Sequence, residues 1–161
     1  MEYNSKIYLE LLRYDQSLKK NGKSLQEQDK AKYLKLLNYS VKVSDHVHWQ
    51  QKSEYLNVMK NFVDLKINGK QLVSQFNKIH RANEEAVKML KTDLKQLNIF
   101  QPNPKSFGFT EWTSEIDLGC DEFYPDFQLQ DQVEFAFARD EENFRTFVAD
   151  IIPQMQKYCE E

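Results

Sequence analysis

Residues 106–126 read SFGFTEWTSEIDLGCDEFYPD, and the way this stretch folds decides what the rest of the chain can build. It holds two of the four glycines, one of the two tryptophans and one of the two cysteines, with aromatic residues set between carboxylates. Thr110 or Ser114 is placed to cap a short helix carrying Trp112, Ile116 and Leu118, which Gly119 would end. Cys120 to Gln132 then reads as an acidic loop around Pro125. The stretch is therefore expected to be an irregular acidic and aromatic segment ahead of one last helix. In that helix Asp140 caps, and Glu141 and Glu142 sit in the positively polarised first turn. Phe144, Phe147, Val148, Ile151 and Ile152 make its core face, and Pro153 is expected to kink it.

Upstream, the apolar residues recur at helical spacing. Ser5 is placed to cap a helix to residue 20, with Ile7, Leu11, Leu12 and Leu18 on one face beside Tyr8 and Tyr14, and Asn21-Gly22 as its stop. Ser24 and Glu27 fit a capping box for a second helix to about Tyr39 that buries Tyr33, Leu34 and Leu37. Val41, Val43, Val47 and Trp49 then alternate with polar residues. With no partner strand elsewhere, 40–52 reads as a helix continuation or a loop. Tyr55, Leu56, Met59, Phe62, Val63 and Ile67 predict a further helix ended by Asn68-Gly69. Helical pattern resumes from Lys70 to Leu97, as one helix or two, until Pro102 and Pro104 end it. The fold class is all-α, a helical bundle.

With 161 residues the chain is one domain's worth, and 40% hydrophobic against 29% charged residues is ordinary for a globular protein. No apolar run is long enough to span a bilayer. The first residues, MEYNSKIYLELL, lack the marks of a secretory or transit signal. Cys120 and Cys159 form no metal or redox motif and fit a reducing compartment. These features predict an intracellular, soluble protein. Richness in Lys, Asn, Tyr, Phe and Gln points to an AT-rich coding genome, such as an organelle's. The formal charge of -3 hides a split, because residues 1–109 carry 19 Lys or Arg against 11 Asp or Glu, and residues 110–161 carry 3 against 14. Such asymmetry is a signal for interaction.

Several pieces share an order with a known family: FVDLKING at 62–69, LVSQF at 72–76, Phe107-Gly108-Phe109, CDEFYPD at 120–126 and DEENFRTFV at 140–148. Together these resemble the bacterial colicin-like immunity proteins of the colicin D type, and the plastid-encoded reading frames similar to them. The resemblance covers roughly 53–158, which makes 1–52 an N-terminal helical extension and 53–161 an immunity-like domain, packed as one. It implies a helical bundle whose acidic face plugs the basic cleft of a tRNA-cutting toxin. The matching positions are Asp117, Asp121, Glu122, Asp126 and Asp131, with Glu141 and Glu142 as outer candidates. For the plastid relatives it implies a subunit or adaptor and a plastid location. Trp112, Phe123 and Tyr124 are suited to anchor such an interface.

Other constellations carry less. His46 and His48 share a face only on a strand, and a zinc site needs further ligands such as His80 or Cys120 from a distance. Cys120 has no local signature of a nucleophile, and a small buried hydrophobe is the plainer reading. Lys19, Lys20, Lys23, Lys30, Lys32 and Lys35, with Lys88, Lys91 and Lys95, offer a basic surface for RNA. Among the 19 basic residues of 1–109 only Arg13 and Arg81 are arginines, the residue phosphate recognition favours. The expected function is a non-enzymatic protein-binding module without cofactor or metal, docking an acidic aromatic face on a protein with a basic surface. The alternative is an RNA- or ribosome-associated subunit.

Overall fold

The computed structural model describes residues 2–124 and 138–160, and in them the chain is an all-α bundle of eight helices. These are α1 (Ser5–Lys20), α2 (Leu25–Gln28), α3 (Lys30–Gln50), α4 (Lys52–Val63), α5 (Gly69–Thr92), α6 (Leu94–Ile99), α7 (Ser106–Asp121) and α8 (Glu141–Glu160). Two apolar clusters hold them together. One gathers Tyr8, Leu9, Leu11, Leu25, Leu36, Tyr39, Val43, Val47, Val87 and Leu97 from α1, α2, α3, α5 and α6. The other gathers Trp49 with residues of α4, α5, α7 and α8, including Tyr55, Phe62, Phe76, Phe109 and Phe144. The long helices α3 and α5 run through both clusters and make them one body.

The helix boundaries are set by caps, and several fall beside the predicted ones. Asn4, not Ser5, caps α1, its side chain accepting from the Ile7 N–H at 3.0 Å. Ser24 makes no capping bond. A single turn follows it, and Asp29 then caps α3 by accepting from the Lys32 N–H. Asn68 opens α5 rather than closing α4, in a reciprocal capping box with Gln71. Helix α5 passes Arg81-Ala82-Asn83 without a break and stops at Asp93, which caps α6. The stop at Asn21-Gly22 forms as predicted, with Gly22 at φ 67° and the Lys23 N–H returning to the Leu18 carbonyl.

Residues 40–50 are the continuation of α3, and its buried face differs from the predicted one. Leu34 and Leu37 are exposed, while Leu36, Tyr39, Val43 and Val47 face inward. Helix α7 is longer than the short capped helix predicted. It starts at Ser106, so Thr110 and Ser114 lie inside it and cap nothing. It also runs past Gly119 to take in Cys120 and Asp121, read above as the start of a loop whose residues 125–132 lie outside the described ones. A Cβ at Gly119 would stand 2.7 Å from the Phe147 ring, and one at Gly108 would collide with Tyr158. Both glycines thus let α8 press its rings onto the α7 backbone. Pro153 sits inside α8, which runs unbroken to Glu160.

The end of α4 is closed by a leucine in a glycine-like conformation. Leu65 has φ 63°, and the next residue, Lys66, donates its N–H to the Asn61 carbonyl at 2.9 Å. A left-handed leucine is strained by roughly 1–2 kcal/mol. Leu65→Gly should therefore raise the urea midpoint, by a net stabilisation of up to about 1 kcal/mol. Gly119→Ala should do the opposite. Its gain in helix propensity is outweighed by overpacking, so equilibrium unfolding should show a loss of about 1–3 kcal/mol.

Candidate functional site

The acidic half closes around the junction of α7 and α8, and much of its charge serves the fold. Phe123 and Arg139 form an isolated parallel bridge, with the Arg139 N–H donating to the Glu122 carbonyl at 2.7 Å and the Tyr124 N–H to the Arg139 carbonyl at 2.9 Å. The Glu122 carboxylate accepts from Arg139 Nε at 2.7 Å, and that guanidinium lies 4.2 Å from the Phe147 ring centroid. Glu141 accepts from the Gly69 N–H at 3.2 Å and from Arg145 at 2.6 Å. Arg145 in turn donates to the Phe62 carbonyl and stacks on the Phe62 ring. The first turn of α8 is thereby tied to the end of α4 and the start of α5. Phe123 packs inward, its ring stacked 5.3 Å from Phe144 and closed against Gly69.

The residues nominated from sequence thus divide. Glu122, Phe123 and Glu141 have partners inside the molecule, and Trp112 is half-buried against the larger core. Asp117 is half-buried, and Asp121, Tyr124 and Glu142 are exposed. Asp126 and Asp131 lie outside the described residues. Helix α7 adds residues that the sequence reading missed. Phe107, Glu111, Glu115 and Leu118 share one exposed face with the nominated Asp121, and Phe107 and Leu118 are each 59% exposed. Their spacing of three to four was visible, but only on a helix that runs past Gly108 and Gly119. Among the described residues none of Glu111, Glu115, Asp121 and Glu142 is in an ion pair.

The basic half is more engaged than its composition implies. Lys19 pairs with Asp15, Lys32 with Asp29 and Lys88 with Glu85, each within a helix or at its cap. Lys35 lies over the Tyr39 ring, and burial lowers the pKa of Lys91. Lys20, Lys23, Lys30 and Lys95 remain exposed at separate places along α1, α3 and α6 and the α1–α2 turn.

His48 and Cys120 are buried, and His46, His80 and Cys159 are half-buried. His46 Nδ1 accepts from the Asn103 N–H at 2.8 Å. His48 Nδ1 is 3.0 Å from Tyr55 Oη, which accepts from Asn83 Nδ2 at 3.1 Å. Tyr55 Oη and His48 Nδ1 thus share a hydrogen bond whose direction follows the imidazole tautomer, inside a network that Asn83 extends. Burial first, and then the neighbouring His80, depress the His48 pKa to about 4, against a smaller opposing pull from Glu84. Cys120 is buried, and burial followed by Asp117 and Asp121 pushes its thiol up to about 12, the reverse of an activated nucleophile. Both cysteines are free thiols. Among the described residues no group of His, Cys, Asp and Glu could hold a metal ion, and no helix is long and apolar enough to cross a membrane. Compared with family models, curated proteins and solved structures, the chain has no match.

The His48 network gives the fold a pH dependence of known sign. Above about pH 6.5 the imidazole is neutral in both the folded and unfolded chain. Between about 6.5 and about 4 the unfolded chain takes the proton first, so acid destabilises the fold through this group by up to about 3 kcal/mol. His46, also depressed by burial, acts in the same sense. Asp45, raised by burial, acts in the opposite one, since the folded chain there takes a proton first. Urea unfolding of wild type and His48→Asn across pH 4–7 isolates the His48 part. The variant keeps an acceptor for Tyr55, and its stability should fall less steeply with acid.

Proposed function

We propose that the chain is a non-enzymatic protein-binding module that docks the outer face of α7 and the adjoining start of α8 on a protein with a basic surface. The observation that carries this reading is the exposed row Phe107, Glu111, Glu115, Leu118 and Asp121, with Glu142 from α8 in the same acidic half. Its carboxylates have no cation of their own to satisfy them among the described residues, and two large apolar side chains sit in their midst. Complementary charge of this kind speeds encounter and selects the partner, while apolar residues supply contact area. The resemblance to colicin-like immunity proteins supports the same direction. By that analogy the partner is nuclease-like, with carboxylates of this chain standing where substrate phosphates would, or it is a basic component of a larger assembly such as a plastid one. The inward engagement of His46, His48 and Cys120 supports a role without catalysis.

Charge reversal separates docking from folding if the structural carboxylates are spared. Glu115→Lys with Asp121→Lys should abolish recovery of a basic protein partner in affinity purification while the far-UV helical signal and melting temperature hold. Changing Glu122 instead should disturb folding, because it removes the partner of Arg139. Unchanged recovery by the double variant would eliminate the acidic face. Recovery of RNA that is lost with added salt and with Lys20, Lys23 and Lys30 changed would favour the basic half instead.

A further inference from the structure

A cavity of about 560 Å³ lies between α3 and the segment that leads into α7, well away from the α7–α8 junction. Its walls include Tyr3, Val41, Pro102, Pro104 and Phe107. That volume is in the range of small-molecule sites, which run roughly 300–1,000 Å³. Two of the residues lining it have something in common. Among the described residues, the buried side-chain oxygens that lack any hydrogen-bond partner are Tyr3 Oη and Asp45 Oδ2, and both residues line this cavity. Asp45 is only 5% exposed. The Thr110 hydroxyl lies beside it, yet that group donates its one proton to the Ser106 carbonyl, with Oγ1 2.7 Å from the carbonyl oxygen.

We propose that this cavity binds a small organic cation, a primary amine or amidine on an apolar body, with Asp45 as its counter-ion. A buried carboxylate oxygen without a donor is unfavourable, and a folded protein ordinarily supplies each such atom with a partner. The charges around the cavity select the sign of the ligand. Glu2 and Asp45 line it against one lysine, Lys42, and Glu111 acts on Asp45 from α7. Burial raises the Asp45 pKa, with Thr110 and Lys42 opposing and Glu111 adding to it, and a bound cation would reverse that balance. A cation seated at the Asp45 edge of the cavity neutralises the carboxylate, with charge-assisted hydrogen bonding as the source of its preference over a neutral analogue. Val41 and Phe107, both exposed, supply apolar contact for the rest of the ligand. Phe107 is shared with the outer face of α7, but Asp45 belongs to α3 and faces inward, so Asp45→Asn leaves the carboxylates of the docking face unchanged.

The test uses two matched pairs of probes, phenethylamine with 2-phenylethanol and benzamidine with benzamide, titrated into the full chain at pH 7.5 and followed by calorimetry and by amide NMR shifts. At least one cation should bind saturably, shift amides of α3 and residues 101–107, and exceed its neutral counterpart by about tenfold or more, the range expected for a charged hydrogen bond. Asp45→Asn should keep the helical signal and lose that binding by a similar factor. Absence of saturable binding by both cations overturns the proposal. So does equal binding of charged and neutral probes, which needs no variant to observe, and so does full binding by a folded Asp45→Asn.

Discussion

The contact between α7 and the rings of α8 is the constraint on which the rest depends. Phe144 and Phe147 occupy the space that a side chain at position 119 would take, and Tyr158 does the same at position 108. This close approach buries Phe109, Ile116 and Cys120 on one side of α7 and turns its other side outward. It also brings the start of α8 against α4 and α5, where Glu141 and Arg145 secure it. Phe123 then closes over Phe144 and Gly69. The acidic outer row exists because the glycine-bearing edge is committed to the rings.

The same constraint explains what was legible in the sequence. The all-α class, the core faces of α4 and α8 and the Gly22 stop follow from apolar period and turn chemistry, and those local signals agree with the packing. Elsewhere packing overrides the local preference. Glycine inside a helix is unfavourable by about 1 kcal/mol relative to alanine, so Gly119 reads as an end. Only the tertiary contact with Phe147 makes it an interior residue. The caps failed differently. Asn4 and Ser5, or Ser24 and Asp29, are alternative capping groups within a few residues of each other, and the choice between them is made by which helical face must be buried. Asn68 is ambiguous for the same reason, since an Asn-Gly pair suits both the end of one helix and the start of the next.

Helix α3 shows why alternation misleads. Its second half packs against α5 on one side and α7 on another, so residues on several faces are buried. Val43, Asp45, Val47, His48 and Trp49 are all nearly inaccessible within seven positions. A helix enclosed in this way loses the single apolar stripe and can imitate a strand's pattern over short windows. It also has to carry its polar residues inward. His48 meets a complete network through Tyr55 and Asn83, whereas Asp45 does not. Two polar groups three residues apart on one enclosed helix are thus satisfied to opposite degrees.

The sorting of the acidic residues follows from geometry more than from composition. Asp140 and Glu141 at the start of α8 face backbone donors and an arginine, because a helix start gathers N–H groups that its own ladder leaves unused, whereas Glu142 beside them points outward. Asp140 accepts from the Asn143 N–H at 2.8 Å, and Glu141 reaches the start of α5. Carboxylates along the middle of α7 have no such donors, since the N–H groups there are spent within the helix. Glu111 and Glu115 must therefore meet water or another molecule. The described carboxylates of α7 and the start of α8 are in this sense two populations: one, with Glu122 and Glu141, that joins segments of the fold, and one, with Glu111, Glu115, Asp121 and Glu142, whose charge remains available outside it.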